Sequence, residues 1–77
     1  MNPLHFPRSV DEAIRDSVMT RTGRRVNGLI VVVRGETVVL SGKTSSFHIK
    51  QLAQHGARDV LPDAPLSNEI VVESTRR

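Results

Sequence analysis

Five consecutive aliphatic residues, Leu29-Ile30-Val31-Val32-Val33, are followed after Arg34-Gly35-Glu36 by a second run, Thr37-Val38-Val39-Leu40-Ser41. β-Branched side chains are stiff at χ1 and pack well on a pleated surface, so both runs read as strands. The short polar segment between them leaves room only for a tight turn. Gly35 at the first central position of a two-residue loop suits a type II′ turn, which sets Arg34 opposite Thr37. Counting outward pairs Val33 with Val38, Val32 with Val39, Val31 with Leu40, Ile30 with Ser41 and Leu29 with Gly42. Side chains alternate along a strand, so Leu29, Val31, Val33, Val38 and Leu40 share one face, the expected core. Ile30, Val32, Arg34, Thr37, Val39 and Ser41 share the other.

A helix is expected on each side of this hairpin. Ser9-Val10-Asp11-Glu12 has the form of a capping box, with Val10, Ala13, Ile14, Ser17, Val18 and Arg21 on one stripe and Gly23 as a left-handed terminator. After Gly42-Lys43, one of Thr44, Ser45 and Ser46 caps a second helix. Its positions Ile49, Leu52, Ala53, Gly56, Ala57 and Val60 match the helical period, and Pro62 ends it. The small residues Ala53, Gly56 and Ala57 allow close backbone approach. A third strand is expected over Asn68-Glu69-Ile70-Val71-Val72-Glu73, with Ile70 and Val72 inward. The predicted fold is α+β, a two-layer αββαβ sandwich with both helices on one face of a three-stranded mixed sheet. Placing the most apolar strand at the centre gives the order 2-1-3, with strand two, helix two and strand three forming a split βαβ crossover.

With 77 residues and 8.5 kDa, the chain has room for one domain, expected over residues 9–73 between a flexible arm (1–8) and a flexible basic tail (74–77). Eleven Val, six Leu and four Ile against two Phe, without Trp or Tyr, imply a β-branched aliphatic core. Single-stranded nucleic-acid binders usually stack bases on such rings, so the same shortage of aromatics counts against nucleic acid as a partner. The absence of cysteine excludes a disulfide scaffold and a thiol nucleophile. No apolar run has the length of a membrane span, and a cytoplasmic chain, peripheral to a membrane at most, is expected.

The run Val31-x-Val33-x-Gly35-x-x-Val38-x-Leu40-Ser41-Gly42, then Ala53 and Ala57 on a helix, then Asn68-x-Ile70-x-Val72, resembles the BON (bacterial OsmY and nodulation) domain family. The resemblance spans about Asp11 to Glu73 and implies an αββαβ binding module. Such modules are associated with phospholipid membranes or envelope assemblies, and no catalytic residues are attributed to them.

Other constellations carry less chemistry. Gly42-Lys43-Thr44 before a helix lacks the earlier glycine of a P-loop, since Thr37 stands at that position. His48 and His55 lie seven apart on the second helix without the ligands that complete a metal site. Ser46, His48 and Asp59 have no nucleophile elbow or oxyanion hole around them. No catalytic residue, cofactor or metal is therefore expected.

Two binding surfaces are expected instead. The topology gathers Arg21, Arg24, Arg25, Lys43, Arg76 and Arg77 at one end of the sheet beside Thr44, Ser45, Ser46 and the amides of the second helix. Such a basic pole suits anionic phospholipid headgroups. Ile30, Val32, Val39 and Val71 form an apolar patch on the uncovered sheet face, suited to a protein partner or a weak homodimer.

Overall fold

The computed structural model describes residues 9–73, in the order α1 (Val10–Thr22), β1 (Asn27–Arg34), β2 (Thr37–Thr44), α2 (Phe47–Val60), β3 (Leu66–Asn68) and β4 (Val71–Val72). The expected arm and basic tail, with Arg76 and Arg77, lie outside the described residues.

α1 begins at Ser9, whose backbone is extended, and ends at Gly23 with φ +63°, where the Gly23 amide donates to the Thr20 carbonyl. The expected capping bond from a helix amide to the Ser9 hydroxyl oxygen is not made. That hydroxyl donates instead to the Asp11 carboxylate and holds its pKa below the ordinary value, helped by the amides of Asp11 and Glu12. Ile14 and Val18 are buried as the stripe requires, and Val10 is exposed at its open end. Thr22 is buried as well. Its hydroxyl donates to the Val18 carbonyl at 2.8 Å, which satisfies a polar group inside the core.

The hairpin has the expected register from Arg34 opposite Thr37 to Ile30 opposite Ser41. Gly35 has φ +62° and Glu36 has a negative φ, as a type II′ turn demands. Beyond Ile30 the expected pairing of Leu29 with Gly42 gives way to a bulge, and Asn27 stands opposite Lys43. Gly28, at φ +64°, supplies the left-handed residue that such a bulge uses.

The strand order differs from the expected 2-1-3. β2 is central, with β1 antiparallel on one side and β3 and β4 parallel on the other. β2, α2 and β3 therefore form an ordinary crossover between neighbouring strands and not a split one. The expected single strand from Asn68 starts earlier, at Leu66, and breaks at Glu69-Ile70, so the order of elements is αββαββ. Its two pieces keep one register against β2, Val38 opposite Leu66 and Thr44 opposite Val72. Across the gap the Glu69 amide still donates to the Leu40 carbonyl at 2.8 Å, while the Ile70 amide turns to the Asn68 side chain at 3.2 Å.

Both helices cover one sheet face. Ile14, Val18, Ile49, Ala53 and Ala57 join Leu29, Val38, Leu40 and Ile70 in one buried cluster. Leu40, Ile49 and Ile70 are buried as expected, with Leu40 at 0% exposure. Val31, on the expected core face, and Leu52 and Val60, on the periodic stripe of α2, are only half-buried. For Val31 the reason is the strand order: an edge strand has a neighbour on one side only. The helices touch where Gly56 lacks a side chain, since a Cβ there would lie 2.8 Å from Val18 Cα. The Ser17 hydroxyl donates to the Gly56 carbonyl at the same place, at 2.7 Å.

Candidate functional site

The sheet face opposite the helices is formed by Ile30, Val32 and Arg34 of β1, Thr37, Val39, Ser41 and Lys43 of β2, and Ser67, Glu69 and Val71 beyond. Among the described residues no helix packs on it. Ile30 is 57% exposed and Val71 50%, while Val32 and Val39 are half-buried. The patch is arranged differently from the expectation, in which Val32 lay between Val39 and Val71. Val39 is on the central strand, flanked by Val32 and Ser67, and Val71 stands apart opposite Lys43. The apolar surface is therefore concentrated at β1 and β2, with Ile30 beside Val32 at the sheet's edge. Toward β4 it becomes polar, and the Ser67 hydroxyl donates to Glu69 at 3.0 Å.

The residues of the expected basic pole are distributed. Arg21 makes a two-pronged contact with Asp59, at 2.8 and 3.1 Å, in the last turn of α2. Asp59 is about 20 Å along the helix from the Ser46 cap. The C-terminal carbonyls of a helix favour a cation, so this end of α2 is a natural place for the guanidinium. Arg24 lines a shallow cleft with Arg15, Asp16, Met19 and Thr20 of α1. It has φ +63°, unusual for a residue with a side chain, and is held there by its amide donating to the Met19 carbonyl at 2.9 Å. Arg25 is exposed just before β1, at the sheet end where Asn27 faces Lys43.

Lys43 is 3.7 Å from Glu73 and shares a small cleft with Asn27, Thr44 and Ser45. Ser46 is the cap of α2 and accepts from the Ile49 amide at 3.3 Å, which occupies one of the amides an anion would use. Ser45 is exposed, and Thr44 is buried with its hydroxyl unpartnered among the described residues. The structure thus brings Lys43, Thr44, Ser45 and Ser46 together with Arg25 nearby, and takes Arg21 away.

Gly42-Lys43-Thr44 lies in strand β2 and not in a phosphate-cradling loop. His48 and His55 are exposed on α2, and the Asp59 carboxylate is engaged by Arg21. No helix among the described residues is long and apolar enough to cross a membrane. Sequence reasoning placed Asn68 at the start of a strand but gave its side chain no role; that side chain donates to the Lys50 carbonyl at 2.9 Å and accepts from the Ile70 amide. An Asn two positions before the apolar run Ile70-Val71-Val72 is the local signal for it, since its side chain can bond the backbone two residues on.

No family model, curated protein or solved structure matches the chain.

Proposed function

We propose that the chain is a non-enzymatic, BON-like binding module that docks a protein partner on the open face of its sheet. The observation that supports this reading most is the exposure of Ile30 beside Val32 and Val39 on a face that no described element covers. Contiguous apolar surface of this kind gains free energy when a partner removes it from water. Val39→Lys puts a charge at the centre of the face without touching the core side. Association with protein, whether this chain or another from the native extract, should be lost in that variant while its thermal unfolding stays cooperative. Equal association of variant and parent overturns the reading.

The second reading is attachment to anionic phospholipid through the basic residues. It is supported by Arg24 and Arg25, both exposed and without an ion-pair partner among the described residues. Each basic residue near an anionic membrane contributes about 1 kcal/mol. Lys43 contributes less while Glu73 neutralises it, and Arg21 less beside Asp59. Salt-sensitive binding to phosphatidylglycerol vesicles, absent with phosphatidylcholine and lost on changing Arg24 and Arg25 to Glu, would put this reading first.

A further inference from the structure

β1 is an edge strand eight residues long, and its segment Leu29–Val33 carries neither charge nor proline. In a hairpin closed by a two-residue turn, Arg34 and Thr37 exchange backbone bonds. So do Val32 with Val39 and Ile30 with Ser41. The amides and carbonyls of Leu29, Val31 and Val33 then point away from β2, and among the described residues no turn, loop or helix backbone group pairs with them. Such a row is a template for another strand.

We propose that the partner is a second copy of this chain, paired antiparallel through β1 about a twofold axis at Val31. This rests on the reading of the open face as a protein-docking surface and names the partner and the edge it uses. The segment is self-complementary in that arrangement: Val31 meets its own copy, Leu29 meets Val33, and Ile30 meets Val32. Antiparallel pairing places the two Arg34 side chains at opposite ends of the interface, where parallel pairing would set them together. On the open face, Val39 and Val32 of one copy continue into Ile30 of the other, so each exposed Ile30 gains an aliphatic cross-strand neighbour. On the helix side, Val31 and Val33 are half-buried beneath no second neighbouring strand, and the copy supplies one.

A C2 arrangement is the commonest for a self-complementary patch. A specific interface needs about 1,000 Å², and a pairing that centres on the five residues Leu29–Val33 of each copy implies a reversible dimer and not an obligate one.

The experiment is analytical ultracentrifugation of the full chain over about a hundredfold concentration range, combined with residue-resolved amide exchange. The expected result is a monomer–dimer equilibrium in which the amides of Leu29, Val31 and Val33 gain protection with concentration. Those of Ile30, Val32 and Arg34, already bonded to β2, should change little. Val31→Pro removes an outward amide without breaking a bond to β2 and should weaken dimerisation by about tenfold or more. The exchange pattern of the unaltered chain tests the same point without a variant. A monomer at all concentrations, or a dimer whose Val31 and Val33 amides exchange as in the monomer, overturns the edge pairing. If such a dimer is nevertheless abolished by Val39→Lys, the open face remains the docking surface and only the edge pairing fails. A dimer indifferent to both variants overturns both.

Discussion

β1 runs along one edge of the sheet as eight continuous residues, aliphatic from Leu29 to Val33. The opposite edge consists of three residues of β3, a gap, and two residues of β4. It follows Pro65, carries Glu69 and Glu73 at its borders, and uses the Asn68 side chain to bond its own backbone. Interruption, charge and proline are means by which proteins keep an edge from pairing with other chains; they run through this edge, whereas β1 has only a bulge at Gly28 and Arg34 at its two ends. Each edge is also backed by its own helix, α1 on β1 and α2 on β2, β3 and β4. The capacity to pair is thereby concentrated at β1, while the other edge is closed by local chemistry.

The strand that both edges share is where a substitution should act hardest. Leu40→Ala on β2 should cost about 2–5 kcal/mol, read as a lowered urea midpoint, with protection lost on both edges together. Survival of β3 and β4 protection in that variant would show that the two sides are separately stable.

Gly56→Ala acts on the contact between the two helices. The added carbon would lie 2.8 Å from Val18 Cα and 3.0 Å from the Ser17 carbonyl oxygen, so α1 must move away. A loss of about 1–3 kcal/mol is expected. Amide exchange should accelerate more in β1, which depends on α1, than in β3.

Asn68→Ala acts on the interrupted edge alone. It removes the bond to the Lys50 carbonyl and the acceptor for the Ile70 amide. The cost should be about 1–2 kcal/mol, with faster exchange at Ile70 and no change at Val31.

The Arg21–Asp59 pair ties the helix behind one edge to the helix behind the other. Both side chains are half exposed, so a double-mutant cycle should give about 0.2–1 kcal/mol, decreasing with added salt.

The smallest effect is at the start of α1. The hydrogen bond from Ser9 lowers the Asp11 pKa, so ionised Asp11 favours the folded chain at neutral pH. That contribution is lost as the pH falls through the depressed value. Asp11→Asn should therefore lower the melting temperature slightly at neutral pH and narrow the gap to the parent in acid.

Much of the candidate surface was legible in the residues themselves. The alternation of Ile30, Val32 and Val39 against Val31, Val38 and Leu40 assigns them to opposite faces, and the folded sheet keeps that assignment. Ile70 and Val71 likewise divide between the core and the open face. The basic residues were less legible. A charged side chain on a long stem is placed by the nearest opposite charge, and Asp59 is 38 positions from Arg21 in the chain. Likewise the partner of Lys43, Glu73, is found only once β4 lies beside β2.

Short-range geometry is the part of the fold that the residues dictate locally. The turn at Gly35-Glu36 sets the register of its two strands, Gly23 ends α1, and one of Thr44, Ser45 and Ser46 starts α2, because each depends on residues a few positions apart; the fold selects Ser46. The strand order was decided only by the tertiary structure. Two valine-rich strands satisfy the same alternation whether β1 or β2 is central, and local pattern cannot separate the two. The choice depends on where the crossover through α2 returns the chain. It returns beside β2, with Ile70 at the level of Gly42, and so leaves β1, the most apolar strand, at the edge.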